Sequence, residues 1–226
     1  ASILTALMVI LYTGSRGGML GLIAVIAFFL FTKMHGITKS HKVVFTVAMI
    51  ILFISISSKI DMDRYFTLTD VGSDYNVTDE FGRFQIWKRG FDLLLSNPLT
   101  GVGADCSAMA IGYAREALGI TAKWQELHNS YIQVAVETGL IGFILFMALI
   151  MQSFKTFSRL KNIKATTPEA IEFKTISGLM LVAFIGQLVT AFFITQAYSL
   201  FFTTFFAFSA VMRNLSVKLD DRQRSI

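Results

Sequence analysis

Three basic side chains and one carboxylate sit where an apolar chain has least use for them, and each could do chemistry. In "TGSRGGMLG", Arg16 occupies a turn of a few residues between two apolar runs, and Gly14, Gly17 and Gly18 allow the backbone to bend sharply. A guanidinium beside the amides that open the next helix suits a phosphate; the same residue could equally snorkel to lipid headgroups. Arg83 opens "RFQIW" with Trp87 four residues on, where a cation–π or stacking contact on a helix is the alternative to anion binding. His128 precedes "NSYIQVAVETG". An imidazole titrates near operating pH and so can act as a general base, or it is a surface residue ahead of a helix capped by Asn129 or Ser130. Glu137 lies about two turns into that apolar helix, where an unpaired carboxylate is costly. It should face a partner or a wet cavity, as a structural counter-charge.

Composition says what must hold these residues. Over 226 residues, 54% are hydrophobic and only 15% charged, and the mean hydropathy is +0.62, which places the chain in a bilayer. One cysteine, Cys106, and three scattered histidines leave no disulfide framework and no metal-ligand cluster. Neither a metal nor another cofactor is expected. The opening "ASILTALMVILY", without initiator methionine or basic leader, reads as a chain entering partway through a membrane helix, with helices missing upstream.

Apolar segments at 1–13, 18–32, 43–57, 131–154, 175–194 and 197–212 predict an all-α, polytopic transmembrane bundle. Crossing a hydrocarbon core of about 30 Å takes about 20 residues, so 18–32 and 43–57 must borrow from their flanks. Twelve of the twenty Lys and Arg lie in 33–42, 155–174 and the tail from Arg213. Basic loops stay cytoplasmic, which puts the turn at 14–17, the stretch 58–130 and the turn near 195–197 outside. The expected division is three membrane helices over 1–57 (the first truncated), a periplasmic loop domain over 58–130, three membrane helices over 131–212 and a cytoplasmic tail over 213–226. The outer stretch holds seven basic and ten acidic residues, a net of −3, so the overall +5 reports topology and gives no support to nucleic-acid binding.

A connection that long needs structure of its own. Phe84, Trp87, Phe91, Leu94 and Leu95 recur at helical spacing until Asn97 and Pro98, predicting an amphipathic helix on the membrane surface with Trp87 as interfacial anchor. Gly101 and Gly103 follow, suited to a tight turn or a close backbone approach. The acidic stretch 61–80 reads as loop.

In order, "TGSRGG", "GRFQIW", "NPLTGVG" and "HNSYIQVAVETGLIG" resemble the O-antigen ligase and polymerase family of bacterial envelope glycosyltransferases. The resemblance covers about 16–145 and rests on Arg16, Arg83, Trp87, Pro98, Gly101, Gly103, His128, Asn129, Glu137, Gly139 and Gly142. It implies a multi-pass inner-membrane transferase working on the periplasmic face. Such an enzyme moves a glycan from undecaprenyl diphosphate to an acceptor hydroxyl, that of lipid A core in a ligase. Arg16 and Arg83 then fall on the family's functional arginines, expected to hold the diphosphate, and His128 on its functional histidine. Trp87 and Asn129 are expected beside the substrate, and Glu137, Gly101 and Gly103 in supporting positions. Two guanidinium groups could supply a divalent cation's electrostatic work, so metal independence is expected. A polymerase and a protein oligosaccharyltransferase fit the same residues. Outside the class stand an envelope glycolipid transporter, which would carry midplane polar groups and often repeats, and a catalytically silent scaffold.

Overall fold

The computed structural model describes residues 5, 8–10, 12–33, 36–57, 79 and 81–224. Among these every regular element is a helix: α1 (Arg16–Phe31), α2 (Lys39–Ser57), α3 (Arg83–Ser96), α4 (Ser107–Ala117), α5 (Ser130–Leu160), α6 (Pro168–Thr190) and α7 (Leu200–Arg224). The protein is an all-α membrane bundle. α5, α6 and the part of α7 over Leu200–Val217 are long and apolar enough to cross a bilayer. With 16 residues, α1 rises about 24 Å and falls short of a full hydrocarbon core. Of the acidic stretch 61–80, only Asp79 lies within the described residues.

The chain forms two compact units. One comprises Ala1–Ile60, Leu149–Val189 and Tyr198–Ile226; the other comprises Asp61–Ala148 and Thr190–Ala197.

In the first unit, Ser15 caps α1 by accepting the Gly18 amide at 3.1 Å, so the helix begins at Arg16 itself. Small residues let helices approach: a Cβ on Gly186 of α6 would run into the Val25 side chain of α1. Phe184 meets Phe157 of α5 edge-on and Phe205 of α7 at a tilt, with ring centroids 6.0 and 5.0 Å apart. A buried Ser153–Ser209 hydroxyl pair at 2.9 Å ties α5 to α7, each hydroxyl answering the other's need for a partner in an apolar setting.

Lys42, counted in the sequence only as a topology charge, is 7% exposed. Its ammonium donates to the carbonyls of Leu30, at 3.2 Å, and Thr32, and lies 5.4 Å from the Phe29 ring centroid. A cation suits the C-terminal carbonyls of α1, which have no helical partners. Lys42→Met is expected to cost about 1.5–3 kcal/mol, the usual worth of hydrogen bonds to a charged group, read as an earlier thermal denaturation of the full-length protein in detergent. An unchanged midpoint would show that the tie contributes nothing.

The second unit packs α3 and α4 around Ile86, Ile111, Leu127 and Val136, with Leu93, Leu94, Val102 and Ile132 against them. α3 forms where the spacing predicts it, and its cap is Asn97. The face it turns to the protein lies away from most of the predicted stripe. Phe84, Phe91 and Leu95 are 59%, 50% and 78% exposed, while Ile86 and Gly90 are buried. The reason is Gly90: a Cβ there would press on Leu127, Ile132 and Val136, so the helix approaches closest along its glycine side, and a stripe counted from bulky residues misses it. The Trp87 indole Nε1–H donates to the Leu127 carbonyl at 2.8 Å.

α6 also stops short of the apolar run that predicted it. Its last turn ends at Thr190, and 191–198 forms turns, bends and irregular backbone. Ala191 and Ile194 leave the helix because their carbonyls accept from the backbone N–H and the hydroxyl of Ser130, at 2.8 and 2.7 Å.

Candidate active site

The start of α5 is the best-connected point of the second unit. Asn129, buried, accepts the Tyr131 and Ile132 amides on its Oδ1 at 2.9 and 3.0 Å, which makes it the N-cap. Ser130 accepts the Gln196 amide at 3.1 Å and Gln133 accepts the Ala197 amide at 3.1 Å. The segment 190–197 is thereby fastened along the first turn of α5.

Between buried Leu127 and buried Asn129, His128 is partly covered yet open to solvent. Its φ is +51°, the left-handed region that a residue with a Cβ adopts only when its surroundings impose it. The imposing contacts are at hand. Its amide donates to Thr195 Oγ1 at 2.8 Å, and the carbonyl on the other side of the same peptide receives the Trp87 indole.

Arg83, the first residue of α3, acts electrostatically on that imidazole. The His128 pKa is lowered from 6.5, first by burial, then by the Arg83 guanidinium, with Glu126 pulling the other way. Both larger causes disfavour imidazolium, which favours the ring in its neutral, proton-accepting form.

Below the helix start, α5 is interrupted. Gly139 has φ +66° and ψ −171°, a conformation essentially confined to glycine. The backbone groups freed there are taken by the loop after α3: Val102 N–H donates to Val136 O at 3.0 Å, Gly103 N–H to Glu137 O at 2.9 Å, and Leu140 N–H to Pro98 O at 2.8 Å. A Cβ on Gly101 would overlap the Glu137 backbone, and one on Gly139 would overlap the Leu99 carbonyl. "NPLTGVG" and "ETGLIG" are thus two halves of one joint. The Glu137 carboxylate, 1% exposed, accepts from the Asp105 and Ser107 amides at 3.0 and 3.3 Å and from Gln133 Nε2 at 3.3 Å. It anchors the loop that leads into α4.

The second unit therefore gathers Arg83, Trp87, Gly101, Gly103, His128, Asn129 and Glu137, while Arg16 belongs to the first. Thr195 and Gln133 have no place in the sequence analysis, and Ser130 enters it only as a cap candidate. The available signal was weak: polar residues within an otherwise apolar "FFITQAY", and a Ser and Gln three apart at a helix start.

The chain is thus a helical membrane protein whose membrane helix α5 follows directly on His128 and is interrupted at Gly139. The chain belongs to the O-antigen ligase family, whose model matches residues 1–147. It is 28% identical over 145 residues to the exopolysaccharide production protein ExoQ of Rhizobium meliloti, covering 58% of this chain and 31% of that protein. Over 216 residues it is 25% identical to an uncharacterized protein of Haemophilus influenzae, covering 87% and 50%. Over 85 residues it is 31% identical to a Rickettsia conorii protein described as a candidate polysaccharide ligase, covering 35% and 21%. The chain spans half or less of the length of these curated relatives. Membership of the family supports a role in membrane polysaccharide processing.

Proposed function

We propose that the chain carries the site of a membrane glycosyltransferase that moves a glycan from undecaprenyl diphosphate to an acceptor hydroxyl, as an O-antigen ligase does with lipid A core. The observation that carries this reading is His128, held in a left-handed backbone conformation at the start of α5 within electrostatic reach of the Arg83 guanidinium. In the reaction, the acceptor oxygen bonds to the anomeric carbon and its proton passes to His128. The bond from that carbon to the diphosphate oxygen breaks, and its electron pair stays with the diphosphate. Arg83 offsets the charge growing on that leaving group, and the family resemblance gives Arg16 the same role, so the reading requires no metal. The site lies on the periplasmic face of the inner membrane, and exposed Phe84, Phe91 and Leu95 suit α3 to the outer lipid boundary.

A second reading, a polymerase that lengthens an exopolysaccharide, draws on the name of the Rhizobium relative. A protein oligosaccharyltransferase would use the same site with a different acceptor. The transporter reading gains less support, because the backbone groups freed at the Gly139 break are engaged by Pro98, Val102 and Gly103 and are not left to line a cavity.

Deleting the gene tests the class. A transferase defect is expected to abolish one envelope glycan product while its lipid-diphosphate-linked precursor accumulates on the periplasmic side. Accumulation on the cytoplasmic side would overturn the proposal in favour of transport. The lost product (capped lipopolysaccharide, long polymer or glycoprotein) names the acceptor.

A further inference from the structure

The Leu127–His128 peptide unit is gripped at both of its polar atoms by side chains remote in sequence. Its carbonyl oxygen receives the Trp87 indole N–H at 2.8 Å, across forty positions. Its N–H donates to Thr195 Oγ1 at 2.8 Å, across sixty-seven. These two bonds fix the plane of the peptide, and with it the direction in which the His128 Cα leaves. Their supports are themselves held. Leu127 is fully buried against Ile86, Ile111 and Val136. Thr195 sits between Ile194, whose carbonyl accepts the Ser130 hydroxyl, and Gln196, whose amide donates to it. Asn129 begins the helix on the far side. Only the side-chain torsions of His128 remain to be set.

We infer that Trp87 and Thr195 are positioning residues, a two-sided clamp on the peptide preceding the base that holds His128 in its left-handed conformation and aims its imidazole at the acceptor hydroxyl. The inference rests on the reading of His128 as base, and it gives Trp87 a role other than contact with substrate. A histidine with positive φ stays there only while its surroundings over-determine it. Releasing either bond lets the backbone relax, and displacement of a reacting group by about 1 Å costs on the order of a hundredfold in rate.

The test combines amide hydrogen exchange with transfer activity in the full-length protein. Thr195→Val, which keeps the shape and loses the acceptor, and Trp87→Phe, which loses the donor, should each speed exchange at the His128 amide by roughly fivefold to tenfold, the factor of one net hydrogen bond. Thr195→Ser keeps the acceptor and should leave exchange near wild type. Thr195→Val should lower turnover by about tenfold to a hundredfold with KM little changed, Thr195→Ser should restore it, and Thr195→Val should add nothing when His128 is already glycine. Unchanged exchange in both Thr195→Val and Trp87→Phe would overturn the clamp and leave the base assignment standing. Equal loss from Thr195→Val with and without His128 would also overturn it, since the effect would then come from folding alone. Full activity in His128→Gly would overturn the base assignment and the catalytic consequence with it, while the exchange arm would still report the grip.

Discussion

Arg83→Lys is expected to lower glycan transfer by about 10²–10³-fold, the scale for losing one well-placed donor to a developing oxyanion, while leaving the acid limb of the pH–activity profile in place. Lysine keeps the positive charge and forfeits the planar fork that binds a diphosphate through two parallel bonds. Arg83→Gln removes the charge too, and its effect is therefore double. The base must be neutral to accept a proton, so activity falls on the acid side as His128 becomes imidazolium. Burial and the Arg83 guanidinium hold that pKa below its ordinary 6.5. Without the guanidinium the pKa rises, although burial still lowers it and Glu126 still raises it. The acid limb should move to higher pH in Arg83→Gln and stay put in Arg83→Lys. A limb that moves equally in both variants, or in neither, would separate Arg83 from the titration of His128. His128→Ala should lose about 10²–10⁴-fold, the usual worth of general base catalysis.

The second large effect concerns the joint in α5. Gly139→Ala must place a Cβ on a backbone at φ +66° and ψ −171°, and into the Leu99 carbonyl. Strain alone costs about 1–3 kcal/mol. The overlap would drive out the 97–103 loop and with it the bonds from Val102, Gly103 and Leu140, each worth about 1 kcal/mol. Gly119 is a clean comparison, because it too has positive φ, +71°, with nothing within 4 Å of a built Cβ. Gly119→Ala should pay strain only and retain most of the folded protein. Gly139→Ala should fail to accumulate or denature well below wild type in detergent. Equal midpoints for the two variants would mean that the loop does not need the glycine.

Much of the architecture was legible from composition and period. A chain this apolar must satisfy its backbone within helices wherever it meets lipid, and α3 follows from the recurrence of its large side chains. The order of short motifs pointed to the family. What periodicity could not give was which side of α3 packs, because Gly90 contributes no bulk to a stripe yet permits the closest approach. Nor could it place the end of α6 at Thr190. Residues 191–194 are as apolar as those before them, and only Ser130, sixty positions away in the chain, offers their carbonyls better partners than another helical turn.

The residues at the site divide in the same way. Residue type and local spacing alone single out Arg16, Arg83 and His128 as candidates for phosphate binding and proton transfer, and Asn129 or Ser130 as the cap ahead of α5. They also mark Gly101 and Gly103 as suited to a tight turn or a close backbone approach, without saying what these glycines approach. The tertiary structure decided that Gly101 and Gly139 meet as the two faces of one loop-in-helix joint, that Glu137 binds the amides of Asp105 and Ser107, and that Trp87 and Thr195 grip the peptide before His128. Hydrogen bonds across thirty to sixty-seven positions depend on where the chain returns in space, and no local pattern encodes that return.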